Sequence, residues 1–502
     1  MDLGINLSDY QNGGLDNQPL FDNSSTTPEQ LAELSKALEA KEITGMQTVN
    51  STTDSGAPLK TESLERNLKL LTFKDSDIRF WKRIPKSAAY NTVEEYNQLK
   101  SYGADAGGFN NEGELPQDED SVYVRRAELV KFLGVTKSVT HPMQLVNTMV
   151  GNIMQREVTN GINWILRKAD RGLFWANSDV VTQEWRGLYQ QHEADDSFAT
   201  LDAYQDSDSV IDLRGAALTE SPIETAAESI IRNFGYGNLL VAPPVVLSNF
   251  VKSFYNNKYI TPNTVQTTAG IMGQRVQTFQ SQFGEIALEY DIFAKKAGPK
   301  KVGDAASSTK APTAVTVAAA SGAAVADADN RFAGFHGDYN YLVTAKNRFG
   351  ESSPTLITLG AGNGVIAVAA GESVDLDFTD GGGTYPATGY VIYRTEKNVA
   401  SATGAGLLAY PIFEISKAQD AAGYDGAAAG EVRDRNRYIP KTEQALLVQG
   451  DNEVIEFKQL APLMKMDLAV IGPAKRFMIL MYGTPMLYAP KKMVRLINIG
   501  AA

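Results

Sequence analysis

The residue types that most often carry chemistry are scattered along this chain. The three histidines, His141, His192 and His336, are too far apart in sequence to predict a metal cluster. The glycine run at residues 360–364 lacks the Lys-Ser/Thr pair of a phosphate loop, so it predicts a β-turn. The sequence has no Gly-x-Ser-x-Gly elbow. It also has no cysteine, which excludes thiolate catalysis, disulfides and cysteine-based metal sites.

Two acidic clusters have the residue types of a calcium-binding loop. Asp206 begins an Asp-Ser-Asp-Ser run, and Asp327 and Asp329 form a second pair. Neither has the central glycine and distal glutamate of an EF-hand loop, so both predict solvated acidic turns. We therefore predict no catalytic residue, no cofactor and no metal site, and we expect the chain not to be an enzyme.

Length and composition indicate a folded protein of several domains. The chain has 502 residues, of which 43% are hydrophobic and 9% aromatic. No run of about 18 apolar residues occurs, and the first four residues lack a basic start, so we expect neither a membrane span nor export. The net charge of −12 argues against a basic face that grips phosphates. Any DNA near this protein is expected to be enclosed rather than gripped.

Because no site chemistry is predicted, the function has to follow from how the elements are arranged. Residues 1–60 are polar with one short helical pattern at 28–41, which indicates an N-terminal arm that lies on a neighbouring copy. Leu64, Leu68 and Leu71 predict a second short helix. Both patterns precede a longer segment that cannot close a core of its own.

Residues 78–140 predict a long hairpin-like arm. Charged and apolar residues alternate on two limbs, and the run ADAGGFNNEGELP between them has turn chemistry. A limb of about 20 residues at roughly 3.3 Å each would reach about 60 Å. An isolated hairpin is marginal in water, so we expect this arm to rest on another subunit.

Charged and aromatic side chains of this arm are candidates for contact between subunits. Its basic residues could pair with acids of another copy, although a solvated charged strand is the alternative for each of them. The candidates are Arg79, Trp81, Lys82, Arg83, Asp118, Glu119, Asp120, Arg125, Arg126, Lys131 and Lys137.

A long amphipathic helix is predicted directly after the arm. Pro142 suits a first helical position, and apolar residues from Val146 to Leu173 recur on steps of three to five. Residues 143–174 would span about 48 Å at 1.5 Å per residue. Gly151 and Gly161 weaken such a helix, so packing along one face must hold it. The cations Arg167, Lys168 and Arg171 could face enclosed DNA or solvent.

The remaining sequence predicts a mixed α+β body with an insertion. A helix begins near residues 221–222, a buried strand is separated from a helix by two prolines at 243–244, and two strands pair around Gly284. Residues 305–440 are rich in Ala, Gly and Thr with alternating β runs, which predicts a small acidic β-sandwich. The chain is expected to close with a strand pair that turns at residues 483–485.

This order of parts resembles the major capsid proteins of tailed bacteriophages with the HK97-type fold. The runs that carry the resemblance are ESLERNLKLLTFKDSDIRFWKRIPKSAAYNTVEEYNQL, EGELPQDEDSVYVRRAELVKFLGVTKSVTHPM, NGINWILRKADRGLFW, LVAPPVVLSNFVKSFY, FGEIALEYDIF and GTPMLYAPKKMVRLINI. The insertion separately resembles immunoglobulin-like and fibronectin-III modules through YNYLVTAKNRFGESSPT and ATGYVIYRTEKN, in the reverse of the usual strand order.

The resemblance implies an α+β fold of defined segments. They are an N-terminal arm (1–60), a peripheral-domain segment (61–77), an extended loop (78–140), the spine helix and peripheral domain (141–235), a first axial part (236–304), the inserted sandwich (305–440), and a second axial part with the C-terminal peripheral strands (441–502).

It also implies a structural function. The chain is expected to self-assemble into pentamers and hexamers of an icosahedral head around double-stranded DNA, inside the cytoplasm of a bacterial host. The implied partners are a separate scaffold protein and a portal, with a decoration protein as an optional one. No Lys–Asn crosslinking pair can be identified. Two alternatives stay open here: an encapsulin-like compartment that holds cargo enzymes, and a surface adhesion protein that uses its sandwich.

Overall fold

The structure is a computed structural model. It describes residues 72–103, 109–113, 115, 118–146, 152–194, 204, 207–257, 276–318, 320–359, 363–469 and 472–500, with the backbone alone at 254–257. The two N-terminal helical patterns, Asp206 and most of the glycine run at 360–364 lie outside the described residues. Of the helices within these ranges, none combines the length and apolar character that crossing a membrane requires.

Helices and strands alternate irregularly along the described chain, which confirms a mixed α+β protein. The helices are α1 (Phe80–Arg83), α2 (His141–Leu145), α3 (Ile153–Trp175), α4 (Leu188–Glu193), α5 (Glu220–Arg232), α6 (Pro244–Asn257) and α7 (Lys417–Ala422), with 3-10 turns at Asp75–Asp77 and Pro490–Lys492.

The strands are more numerous than the helices. They are β1 (Lys86–Ala88), β2 (Val93–Ser101), β3 (Val122–Leu129), β4 (Lys131–Thr140), β5 (Val210–Asp212), β6 (Leu239–Ala242), β7 (Thr278–Ser281), β8 (Gly284–Tyr290), β9 (Gly322–Ala326), β10 (Gly337–Tyr339), β11 (Tyr341–Asn347), β12 (Gly350–Glu351), β13 (Thr355–Leu356), β14 (Ile366–Val368), β15 (Glu372–Asp377), β16 (Gly389–Arg394), β17 (Tyr410–Ser416), β18 (Glu431–Asp434), β19 (Thr442–Val448), β20 (Ile455–Asp467), β21 (Ala474–Leu487) and β22 (Met493–Gly500).

The body contains two sheets built from distant parts of the chain. One has the order β1-β20-β21-β4, and the other β5-β22-β19-β6-β8-β7. In the second sheet, Leu447 of β19 lies opposite Leu240 of β6, so the chain leaves the sheet after β8 and returns to it at β19. The strands between them, β9 to β18, form three further sheets. The middle segment of the chain, β9 to β18, therefore contributes no strand to this sheet.

The segment between β8 and β19 has the predicted strands, but it is not all β. Helix α7 begins at Ser416, whose side chain accepts a hydrogen bond from the backbone of Gln419. Its core also includes side chains from the body, among them Tyr204, Val210 and Ile497. The insertion therefore packs against the body instead of standing clear of it.

The long helix is shorter than its apolar pattern predicts. The prediction of one helix over residues 143–174 is wrong at its start, because α2 ends at Leu145 and Val146 is already extended. Helix α3 begins after Asn152, whose side chain caps the backbone N–H groups of Met154 and Gln155 at 3.0 and 3.3 Å. Its 23 residues span about 35 Å.

The predicted arm is also shorter, because part of it belongs to the body. Strands β2 and β3 form a separate two-stranded hairpin, whereas β4 pairs along its length with β21, from Lys131↔Gly483 to Thr140↔Ala474. Nine residues of β2 extend about 30 Å, half the predicted reach. The predicted boundaries of 78–140 are therefore corrected to a hairpin at 93–129.

The predicted closing turn at residues 483–485 is wrong. Strand β21 runs through these residues, and the chain turns at Pro490–Lys492 before β22 joins the other body sheet. Pairing of β21 with β4 stops at Gly483. Pro485 has no backbone N–H to donate, and beyond Gly483 no residue of β4 pairs with this strand. The proline is tolerated within the strand for this reason.

Candidate assembly surface

The β2–β3 hairpin has two faces of different character, because successive side chains of a strand point in opposite directions. Tyr96, Gln98 and Glu128 are half-buried or buried, whereas their neighbours along each strand are exposed. The register that pairs Leu99 with Tyr123 places both on the exposed face. The hairpin thus presents one face to its own subunit and the other to solvent.

The inward face attaches the hairpin to the body. Tyr96 donates its hydroxyl to the carbonyl of Leu487 at 3.1 Å, and its ring packs edge-on against Tyr488 at 4.9 Å. Gln98 donates to the carbonyl of Tyr488. These contacts connect β2 to the end of β21 through two aromatic rings and two hydrogen bonds.

Strand β3 is attached by an ion pair. Glu128 is 8% exposed, and Arg186 Nη1 donates to its Oε1 at 3.1 Å. Burial raises the pKa of Glu128, while the charge of Arg186 opposes this shift. A partly buried pair of this kind holds the base of the hairpin more firmly than an exposed pair would.

The outward face carries apolar side chains that stay exposed in the described part of the subunit. Val93 lies opposite Leu129 at one end, and Leu99 lies opposite Tyr123 at the other. These side chains are 37%, 53%, 41% and 69% exposed, in that order. The ion pair between Arg125 and Glu95 lies between the two apolar pairs, at 3.2 Å. A two-stranded ribbon with such a face is marginal unless something packs on it.

The tip of the hairpin is still more exposed. Phe109 is 102% exposed and Leu115 is 88% exposed, so neither is packed by the described part of its subunit. Asp118, Glu119 and Asp120 follow a few positions later in the sequence and are exposed as well. Exposed large apolar side chains near polar residues are typical of a contact surface.

Three of the candidate contact residues, Trp81, Lys82 and Arg83, lie on α1 and not on the hairpin, and Arg79 directly precedes this helix. Trp81 is 5% exposed and packs edge-on against Phe457 at 4.4 Å, within the core of the subunit. Arg79 lies over the ring of Tyr290 at 3.9 Å. Lys82 pairs with Asp75 at 2.6 Å, and Arg83 pairs with Glu289. The burial of Trp81 leaves its ring little surface for another subunit.

Two further candidates, Lys131 and Lys137, lie on β4. Lys131 donates to the carbonyl of Thr182 at 2.6 Å, and Lys137 pairs with Glu157 of α3 at 3.2 Å. Both contacts are within the subunit. The structure therefore brings Asp118, Glu119, Asp120, Arg125 and Arg126 together on the hairpin, and it places the other six candidates on the body. An intersubunit role for these residues stays a prediction.

The residues that anchor the hairpin were missed by sequence reasoning. Tyr96, Gln98 and Glu128 sit on alternate positions of β2 and β3, so a strict period of two would have placed them on one face. What the sequence cannot supply is the identity of their partners, since Leu487 and Tyr488 follow almost 400 residues later.

The histidines and acids that could hold a metal do not converge. His192 is completely buried, and its Nε2 lies 3.0 Å from the carbonyl oxygen of Met493. Burial and the charge of Arg495 lower the pKa of His192 to about 3, so the ring is neutral. Within the described ranges, no three His, Cys, Asp or Glu side chains are arranged to hold a metal ion. Asp327 instead pairs with Arg435 at 2.7 Å.

Comparison with known proteins decides the family. Residues 43–307 match the sequence model described as SU10 major capsid protein, which is more than half of the chain. The chain belongs to the SU10 major capsid protein family. This capsid protein is 24% identical over 475 residues to the major capsid protein of Staphylococcus phage S25-3, covering 89% of this chain and 91% of that one. The same identity and coverage hold for the major capsid protein of Staphylococcus phage K.

Among solved structures, the capsid protein is similar to a chain of the capsid of cyanophage P-SCSP1u. The TM-score is 0.42 at 9% sequence identity, over 91% of this chain and 99% of that chain. The family and its relatives identify a major capsid protein of tailed phages, a structural protein of the virion. They favour this function over the encapsulin-like and adhesion alternatives.

Proposed function

We propose that this capsid protein assembles into pentamers and hexamers that close an icosahedral head around the double-stranded DNA of a tailed phage. The observation that carries the proposal is the uncovered outward face of the β2–β3 hairpin. A ribbon that is attached to its own body through its inward face gains burial when its outward face lies on another copy. Repetition of the contact over many copies makes a weak interface collectively strong.

The order of elements supports an HK97-type fold. An extended hairpin is followed by the long helix α3, and two body sheets are each built from early and late strands. We assign the N-terminal arm, peripheral and axial domains to the segments predicted from the sequence, with the extended loop at 93–129. Helix α3 would hold the hairpin at a constant angle, because β4 connects the two and pairs with β21.

The insertion is proposed to be an immunoglobulin-like or fibronectin-III-like sandwich on the outer side of the shell. Two observations support an inserted module. Strands β6 and β19 pair directly with each other, so their sheet needs no strand from the insertion. The family match ends at residue 307, close to residue 305, where the insertion is predicted to start. An addition at this point does not interrupt the strand order of the body.

Further partners follow from the same proposal. We place assembly in the cytoplasm of the bacterial host, with a separate scaffold protein and a portal as partners and a decoration protein as an optional one. The net charge of −12 supports enclosure of DNA without a basic surface that binds phosphates regardless of sequence.

The cations of α3 are the alternative candidates for facing DNA. Arg167 lies over the ring of Phe73 at 5.4 Å, so at least this cation has a contact within its own subunit.

Electron microscopy of negatively stained protein tests this function. The full chain is expressed alone and together with the neighbouring genes of its genome. We expect closed shells or hexameric sheets, with DNA packaged when a portal is present. Monomers under all conditions, or portal-free shells filled with an enzyme, would contradict the proposal.

A further inference from the structure

A groove on the body has an apolar floor and a cationic rim. It lies between α1, α6 and the β7–β8 pair and has a volume of about 610 Å³, which is in the range of ligand sites. Its floor is formed by Leu247, Val251 and Leu288, and its rim includes Arg79, Arg83 and Lys252. None of the described residues fills this space.

The rim has an excess of positive charge. Lys252 is exposed on α6. Arg83 pairs with Glu289, yet 44% of its side chain is still exposed. Arg79 donates to the hydroxyl of Tyr290 at 2.6 Å, which is a neutral partner. Of the described residues that line the groove, Glu289 is the one acid, so three cations face a single carboxylate there.

The hairpin tip has the complementary character. Phe109 and Leu115 are almost completely exposed, and Glu112, Asp118 and Asp120, which are close to them in the sequence, are exposed as well. The tip therefore combines two large apolar side chains with several acids. A groove of about 610 Å³ has room for a few side chains of this size.

We propose that the groove of one copy receives the hairpin tip of a second copy. Phe109 and Leu115 enter the apolar floor, and the acids of the tip face the cationic rim. This inference rests on the proposed assembly, and it names the surface that the hairpin reaches. Burial of the two apolar side chains provides the affinity, while the opposite charges set orientation and exclude other partners.

Disulfide crosslinking tests the contact, because the chain has no cysteine of its own. Asn110→Cys places a thiol beside Phe109, and Ser248→Cys places one on the exposed side of α6 at the groove. Assembled shells of the double variant are oxidised and run on a denaturing gel without reductant. A ladder of covalent multimers is expected, because each copy offers both thiols.

The matched control combines Asn110→Cys with Thr225→Cys, which is exposed on α5 outside the groove. It should give no ladder. Closed shells of the groove variant without a ladder would overturn the tip-in-groove contact and leave the proposed function intact. A crosslink within one chain would also overturn it, and failure of the parent chain to form any shell would overturn both.

Charge reversal provides a second test. Lys252→Glu is expected to raise the protein concentration needed for shells by about tenfold, because a rim charge then repels the acids of the tip. Adding Asp118→Lys to the same chain should restore most of the loss. Equal assembly by the single and the double variant would contradict the proposed pairing of charges.

Discussion

Asp170 and Asp291 are both completely buried, and their carboxyl groups lie beneath the first turn of helix α1. Asp170 accepts a hydrogen bond from the backbone of Trp81 at 2.9 Å, and Asp291 accepts one from the backbone of Phe80 at 3.1 Å. Burial first, and then the charge of Asp291, raise the pKa of Asp170 well above its usual range. The long helix, the segment after β8 and the chain that leads to the hairpin meet at this acidic pair.

Asp291→Asn should reduce the pH dependence of stability. The folded chain holds a proton on Asp170 that the unfolded chain releases near pH 4, so the free energy of unfolding falls as pH rises from there towards the raised pKa. Replacing Asp291 with a neutral amide removes the repelling charge and makes this fall less steep. Urea unfolding of the unassembled subunit between pH 5 and pH 8 measures the slope.

The control for this change is Asp338→Asn, at an exposed position. It should leave the slope as it is in the parent chain. An unchanged slope for Asp291→Asn would show that the two buried carboxyl groups do not interact.

Gly483→Ala should destabilise the body sheet. A Cβ at this position of β21 would lie 2.5 Å from the carbonyl oxygen of Lys458 and would also overlap the ring of Phe457. Because the oxygen belongs to the backbone, the paired strand would have to move, at a cost of about 1–3 kcal/mol. Denaturant unfolding followed by circular dichroism measures the loss.

The matched change is Gly298→Ala, where a Cβ meets no atom within 4 Å. We expect it to alter the free energy of unfolding by less than about 0.5 kcal/mol. Equal effects of the two substitutions would contradict the packing explanation for Gly483.

Asp434→Asn should unfold the insertion more readily. Asp434 and Arg394 form an ion pair with side chains 2% and 1% exposed, and Tyr341 donates its hydroxyl to the same carboxylate at 2.9 Å. Without the carboxylate, the guanidinium is left buried without a counter-charge, at a cost of about 3–5 kcal/mol. Hydrogen exchange of strands β11, β16 and β18 should become faster.

The exposed pair between Lys441 and Glu396, at 3.1 Å, provides the comparison. Glu396→Gln should leave the hydrogen exchange of the insertion almost unchanged, since solvent screens this pair. If both substitutions changed hydrogen exchange equally, the buried pair would have no special role in the insertion.

Leu99→Ser combined with Tyr123→Ser should prevent assembly without unfolding the subunit. Both side chains are on the outward face of the hairpin, at 41% and 69% exposure, so their removal opens no cavity in the core. Shell yield, measured by sedimentation, should fall sharply while the melting temperature of the subunit stays close to that of the parent.

Val399→Ser is the control for an exposed apolar side chain elsewhere, since Val399 is 43% exposed on the insertion. It should leave shell yield unchanged. Normal shells from the hairpin variant would show that its outward face takes no part in assembly.

Local patterns predicted many elements correctly. The helix expected near residues 221–222 is α5, the strand and helix on either side of the two prolines at 243–244 are β6 and α6, and the strands expected around Gly284 are β7 and β8. Each of these elements is marked by the spacing of its apolar residues and by the capping or turn residues at its ends, all within a short window of sequence.

The predictions that are wrong concern strand pairing and the start of one helix. The alternation of β4 continues that of β3 and so predicts a strand of the arm, but β4 pairs with β21 in the body sheet. The run at residues 483–485 has turn residues, yet Gly483 allows the close approach of Phe457. Asn152, and not Pro142, begins the long helix. Turn and helix propensities are worth about 1 kcal/mol, and pairing along a whole strand outweighs them.

The sequence by itself determined that this is a mixed α+β protein, and it predicts an insertion, no site chemistry and an extended arm that its own core does not cover. The tertiary structure decided how far that arm reaches, which of its faces is attached, and which candidate contact residues belong to the body. The physical reason is that alternation of residues along a strand shows that it has two faces. Only contacts with residues such as Tyr488, almost 400 positions away, decide which face is buried.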